Sequence, residues 1–154
     1  MKKTNAMRIL EDLDIAYQAI EYDPKTEVDG EVIAKVVQEE ADHVYKTLVT
    51  EDHEGNFYVF CLPVLCHLDL KKAARVCGAK KVEMLAMKNL QKVTGYIRGG
   101  VSPIGMKKDF PCYLQEIDQD KICLSGGKKG HQIKVNPKDL VEKVDFHWAD
   151  VVKE

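Results

Sequence analysis

Val44-Tyr-Lys-Thr-Leu-Val49 and Phe57-Tyr-Val-Phe-Cys-Leu62, separated by Asp52-His-Glu-Gly-Asn56, decide the fold. Both runs are β-branched or aromatic, and the polar stretch between them has the composition of a hairpin turn. The hairpin needs helices or further strands to cover it, and the chain supplies both. Downstream, Asp69 is placed to cap a helix over Leu70–Cys77 that Gly78 stops. A second short helix is expected around Glu83–Met87 and a third over Lys88–Val93, ended by Gly95. The chain then turns to β at Tyr96–Arg98, Cys112–Ile117, Lys121–Leu124 and Gln132–Val135. Asn136-Pro137 starts a last helix, with Leu140, Val141 and Val144 inward and with Phe146 and Trp148 anchoring it.

Upstream, Thr4 or Asn5 caps a helix whose face is Ala6, Ile9, Leu10 and Leu13. Ile15–Tyr22 reads as a strand broken by Asp23-Pro24, and Gly30 precedes a helix with Val32, Ile33, Val36 and Val37 inward. Repeats, low-complexity tracts and linkers are missing. The expectation is one α+β domain over residues 1–154, with enough strands to curl into a mixed barrel.

Composition removes several function classes. Of the 154 residues 45% are hydrophobic and 31% charged, as in an ordinary globular protein. The net charge of −2 gives nucleic acid no bulk attraction, so any such contact needs a local patch. The five cysteines, at 61, 66, 77, 112 and 123, are odd in number and form no Cys-x-x-Cys, which argues for reduced, mostly buried thiols. Cys61, Cys66 and His67 lack a second ligand pair, so neither a metal nor a cofactor is expected. The basic start has no apolar run of signal-peptide length, and no stretch approaches the ~20 apolar residues of a membrane span. A cytoplasmic protein is expected.

Two glycine-rich turns carry the chemical signal. One runs from Gly95 through Arg98-Gly-Gly-Val-Ser-Pro-Ile-Gly-Met to Lys107-Lys108; the other is Ser125-Gly-Gly-Lys-Lys-Gly130. Glycines let backbone N–H groups approach an anion, and the lysine doublets add charge suited to phosphate. The same sequences also suit plain hairpin turns with solvated lysines. Lys46 lies inside a strand, on one face with Val44 and Leu48. If that face is inward, the ammonium needs an anion, and a substrate phosphate would supply it. If Tyr45, Thr47 and Val49 face inward, Lys46 faces water; alternation leaves both open. The five histidines are scattered and none stands in a recognisable nucleophile setting.

Val44-Tyr-Lys-Thr-Leu48, Leu68-Asp-Leu-Lys-Lys-Ala-Ala74, Gly78-Ala-Lys-Lys-Val-Glu-Met84, Thr94-Gly-Tyr96, Gly99-Gly-Val-Ser-Pro-Ile-Gly-Met-Lys-Lys108 and Ser125-Gly-Gly-Lys-Lys-Gly130 resemble, in order, the YbaK/EbsC family of Cys-tRNA(Pro)/Cys-tRNA(Cys) deacylases. The similarity runs from about Met7 to about Val151. It implies the fold of the prolyl-tRNA synthetase editing domain, a mixed, barrel-like β-sheet flanked by helices, and an enzyme acting in trans on mischarged tRNA. It further implies that deacylation depends on Lys46, that Gly99, Gly100, Val101, Ser102 and Pro103 form a carbonyl-recognition loop, and that Tyr22, Ser125, Gly126, Gly127 and Gln132 border the substrate. Gln132 stands where better-known members have an Asp, and Asp29 where an aromatic residue appears in some.

The implied chemistry needs no protein nucleophile. The cysteinyl thiolate attacks its own ester carbonyl, the tRNA terminal hydroxyl leaves, and water opens the resulting thiolactone. With a net charge of −2, the lysine pairs at 71–72, 80–81, 107–108 and 128–129 must form whatever patch meets tRNA, and so modest a patch points to prolyl-tRNA synthetase as a partner that supplies specificity. The competing readings are a deacylase for alanine or another small amino acid that uses water, and a non-catalytic regulator that holds a tRNA end or a synthetase.

Overall fold

The computed structural model describes residues 2–154. In chain order its elements are α1 (Asn5–Asp12), β1 (Tyr17–Glu21), α2 (Gly30–Val36), β2 (Tyr45–Asp52), β3 (Phe57–Pro63), α3 (Leu70–Cys77), β4 (Val82–Met84), α4 (Leu90–Thr94), β5 (Cys112–Gln115), β6 (Ile122–Ser125), β7 (His131–Val135), α5 (Pro137–Lys143) and β8 (His147–Ala149). Short 3-10 turns lie at Ala41–His43 and Met87–Asn89.

The central hairpin forms as its sequence predicts. β2 and β3 are antiparallel, with Lys46 opposite Leu62 and Thr47 opposite Cys61. The Asp52 carboxylate organises the turn. It accepts from the Glu54 and Asn56 N–H groups at 2.9 Å, from Asn56 Nδ2 at 3.1 Å and from the Tyr58 hydroxyl at 3.1 Å. These donors, the Asn56 N–H foremost, pull the Asp52 pKa down to about 2. A depressed carboxylate stabilises the fold above its unfolded pKa of ~3.9 and loses that contribution as pH falls through the folded value. Asp52→Asn is therefore expected to lower the Tm at pH 7. A pH series of thermal melts should show the gap between variant and wild type closing from about pH 4 to about pH 2.

The strands form two ladders, β4-β2-β3-β5-β8 and β1-β7-β6. β3, β5 and β8 run parallel to one another and the remaining neighbours are antiparallel. One parallel bridge, Val44 to Cys123, links the ladders. The expected barrel-like sheet is thus realised as a mixed five-stranded ladder and an antiparallel three-stranded one, which do not close into one hydrogen-bonded barrel.

The main core fills the space between the ladders. Tyr45, Val49, Val59 and Cys61 meet Ile122, Leu124, Ile133 and Val135, with α1 and Leu140 of α5 closing the ends. α3 covers the other face of the larger ladder over Phe60 and Leu62. It is bounded as expected: Asp69 accepts from Lys71 and Lys72 N–H, and Gly78 takes the left-handed φ of 76° that ends the helix. All five cysteines are free.

Several expectations are corrected. Glu83–Met87 is not a helix, because Val82–Met84 extends the ladder beside Thr50–Asp52. Tyr96–Arg98 is not a strand but a turn, closed by the Gly100 N–H to the Ile97 carbonyl. β8 falls where only the end of the last helix was expected. There Phe146 is buried in the main core and Trp148 pairs in parallel with Leu114. On α1 the buried face includes Met7, while Leu13 is left exposed; on α2 Ala34 is buried and Val36 exposed.

Candidate functional site

A cavity of about 380 Å³ opens between β2, the start of α2 and the two glycine turns. The fold makes it by leaving part of β2 without a neighbour. β4 pairs only with Thr50–Asp52, and the Leu85 N–H to Val49 carbonyl bond (3.0 Å) ends the contact. The Val44 carbonyl accepts from Val64 on the β3 side. Main-chain groups alternate sides along a strand, so the Thr47 N–H and C=O point away from β3, into the cavity. Leu85 and Leu90 build an apolar wall, and Val28, Gly30, Ile33 and Val64 the opposite one. Gly30 is required there: a Cβ would come within 2.4 Å of Val64.

Lys46 is half-buried on this wall. No carboxylate reaches it among the ion pairs of the described residues. Burial pushes its pKa below the ordinary lysine value, with the Cys66 thiol pulling weakly the other way. Its face of the strand is that of Leu48, which packs toward the second core, while Tyr45 and Val49 turn into the main one. A cation held in this way, with no internal anion, is ready for an external one.

The two glycine turns meet at their backbones on the far side. Gly99 has φ 90°, and a Cβ there would come within 3.1 Å of Lys129 and Val28. At Gly100 a Cβ would lie 3.0 Å from Lys128 Cα. The Gly100 N–H is spent on Ile97, and the Ile104 N–H on Ser102 Oγ. The N–H groups of Gly99 and Val101 have no acceptor among the described residues, and both residues line the cavity.

The aminoacyl-tRNA editing domain model matches residues 27–143. The chain belongs to this family. It is 41% identical, over 97% of its length and 93% of the relative's, to the Enterococcus faecalis protein EbsC, named as a Cys-tRNA(Pro)/Cys-tRNA(Cys) deacylase. Among solved structures, one described as a trans-editing enzyme for prolyl-tRNA synthetase superposes with TM-score 0.85 at 25% identity, each chain covered in full. A hypothetical protein superposes with TM-score 0.87 at 20% identity, over 95% of this chain and 97% of that one. That second likeness speaks for the fold alone.

Of the residues singled out in the sequence, Lys46, Gly99, Val101, Ser125 and Gln132 come together around the editing-domain cavity. Gly100, Gly126 and Gly127 lie behind it: the Gly126 N–H bonds the His131 carbonyl and the Gly127 N–H bonds Ser125 Oγ. Ser102 is fully buried, and Pro103 lines a different depression beside α1. Tyr22 directly follows β1 and meets the second glycine turn through its N–H to the Gly130 carbonyl. Asp29 caps α2, accepting from the Glu31 and Val32 N–H groups.

Gln132 is 5% exposed and its Oε1 has no hydrogen-bond partner. An orphaned buried acceptor costs about 1–3 kcal/mol. The sequence reading did not single out Thr47, Met84, Leu85, Met87 or Leu90 as lining residues. Their signal is tertiary, since they converge only because β4 stops short. Among the described residues no cluster of histidine, cysteine and acidic side chains is arranged to hold a metal. No helix among them is long and apolar enough to cross a membrane.

Proposed function

We propose that this chain is a trans-editing deacylase that removes cysteine from mischarged Cys-tRNA(Pro), and from Cys-tRNA(Cys) as a second substrate. One observation carries the reading: the Lys46 ammonium, without an acidic partner, stands at an apolar cavity that Gly99 and Val101, with their two unpaired N–H groups, also line. Lys46 binds a phosphate of the tRNA 3′ end, and the Gly99 and Val101 N–H groups receive the oxyanion that develops on the ester carbonyl. Gln132 offers its orphaned carbonyl to the substrate's α-ammonium. Such a substrate places the protein in the cytoplasm.

The cavity lining contains no cysteine or histidine, and its one carboxylate, Asp29, is engaged as a helix cap. The substrate then provides the nucleophile. The thiol sulfur bonds to the carbonyl carbon, the carbon–oxygen bond to the ribose breaks, and the thiol's proton ends on the departing hydroxyl. The β-thiolactone is opened by water to free cysteine. Intramolecular attack in a well-held geometry is worth roughly 7–11 kcal/mol, so the protein's work is to position and to stabilise charge.

With a net charge of −2, selection of tRNA(Pro) falls to a complex with prolyl-tRNA synthetase. One experiment tests both levels. Single-turnover deacylation is followed with Cys-tRNA(Pro) and Ala-tRNA(Pro), each with and without the synthetase at low enzyme concentration. The expected result is discharge of the cysteinyl substrate alone, faster when the synthetase is present. Comparable turnover of Ala-tRNA(Pro) would instead assign the chemistry to water. An unchanged rate with synthetase would remove that partner.

A further inference from the structure

Met84, Met87 and Arg98 all line the cavity and all reach solvent. Met84 is 46% and Met87 61% exposed, and Arg98 is exposed as well. They are held in place by backbone geometry. β4 sets Met84 opposite Thr50, Leu85 is tied to Val49, and the 3-10 turn that follows presents Met87. Large apolar side chains left in water beside a cavity mark a binding surface rather than a core. Here they continue the apolar wall of Leu85 and Leu90 out to the mouth.

The size of the cavity says what the rim is for. The seven heavy atoms of a cysteinyl ester account for roughly 200 Å³ even at liquid water's ~30 Å³ per heavy atom. The cavity holds about 380 Å³. The remaining space has room for part of what lies beyond the ester oxygen, which in the proposed substrate is a ribose bearing adenine. Resting on the deacylase reading, we infer that the Met84–Met87 rim is a base-binding shelf that takes the 3′-terminal adenine of the tRNA, with Arg98 supplying charge for the flanking phosphate. Thioethers are polarizable, fit irregular flat surfaces and make favourable sulfur–aromatic contacts. Arg98 has no ion-pair partner among the described residues, which leaves its guanidinium for a phosphate.

The shelf is testable with a substrate analogue that keeps the base but cannot lose the amino acid, 3′-cysteinylamino-3′-deoxyadenosine. The chain has five methionines, so its methyl-labelled methionine spectrum is simple to assign with Met84→Gln and Met87→Gln. Titration with the analogue is expected to move the Met84 and Met87 methyls upfield through the adenine ring current. The same analogue without its base should not. In parallel, the double variant Met84→Gln/Met87→Gln is expected to raise KM for Cys-tRNA(Pro) about tenfold, with kcat changed less than about twofold. Inhibition by the analogue with no shift at Met84 or Met87, or a double variant that loses kcat at unchanged KM, overturns the shelf and leaves the deacylase standing. Wild-type protein that neither binds the analogue nor discharges Cys-tRNA(Pro) overturns both.

Discussion

Lys46→Ala is expected to lower kcat/KM for Cys-tRNA(Pro) by roughly 10²-fold, the scale of losing one charged hydrogen bond to a phosphate. The variant should fold as well as wild type or better. Lys46 is half-buried with no acidic partner, so its charge opposes folding, and removing it relieves that cost. The linkage sign agrees. The lysine's folded pKa lies below its unfolded value, so the unfolded chain binds the proton more readily and wild-type stability rises with pH across that window. Activity runs the other way. The neutral amine cannot pair with a phosphate, so kcat/KM should fall on an alkaline limb that begins below the ordinary lysine value of ~10.4. Lys46→Met keeps the length of the side chain without its charge, and its pH profile should lack that limb. Equal single-turnover rates for wild type and Lys46→Met would end the assigned role, and a Tm at or above wild type would show that the loss is not one of folding.

How much of this was legible in the sequence differs by element. The β2–β3 hairpin and α3 could be read because their signals are local: β-branched runs around a turn, an Asp69 cap and a Gly78 stop. The start of α5 at Asn136-Pro137 is local in the same way. β4 could not be read. Val82–Met84 is too short for a period to emerge, and it is a strand only because the edge of β2 lies beside it. β8 is equally short and owes its existence to β5. Lys46 was legible as a residue but its surroundings were not, since both faces of β2 carry apolar side chains. The open edge that brings the strand to the cavity depends on where β4 stops. The glycine loop was legible as an anion-friendly motif, yet which of its N–H groups are free depends on the turn that spends Gly100 on Ile97.

Gly100→Ala is expected to cost stability and activity together, for a reason different from most glycine substitutions. Gly100 does not have a positive φ; what it lacks is room. An added Cβ would sit 3.0 Å from Lys128 Cα and 3.1 Å from the Lys128 carbonyl carbon and the Lys129 nitrogen. These are backbone atoms of the other glycine turn, so no flexible side chain can swing away and the two turns must part. Overpacking of this kind costs about 1–3 kcal/mol. Parting the turns also moves Gly99 and Val101 on one side and Ser125 on the other, all of which line the cavity. Displacing catalytic donors by about 1 Å is enough for a loss of roughly 10²-fold in rate. Gly55→Ala separates the two effects. Gly55 has φ 82° in the exposed hairpin turn, with nothing within 4 Å of its would-be Cβ, so alanine there strains the backbone without touching the site. Assayed well below both melting temperatures, Gly55→Ala should be destabilised yet retain wild-type kcat/KM, while Gly100→Ala should lose it. If the two variants keep activity in proportion to their Tm, the contact between the glycine turns holds the fold together and does not set the geometry of the site.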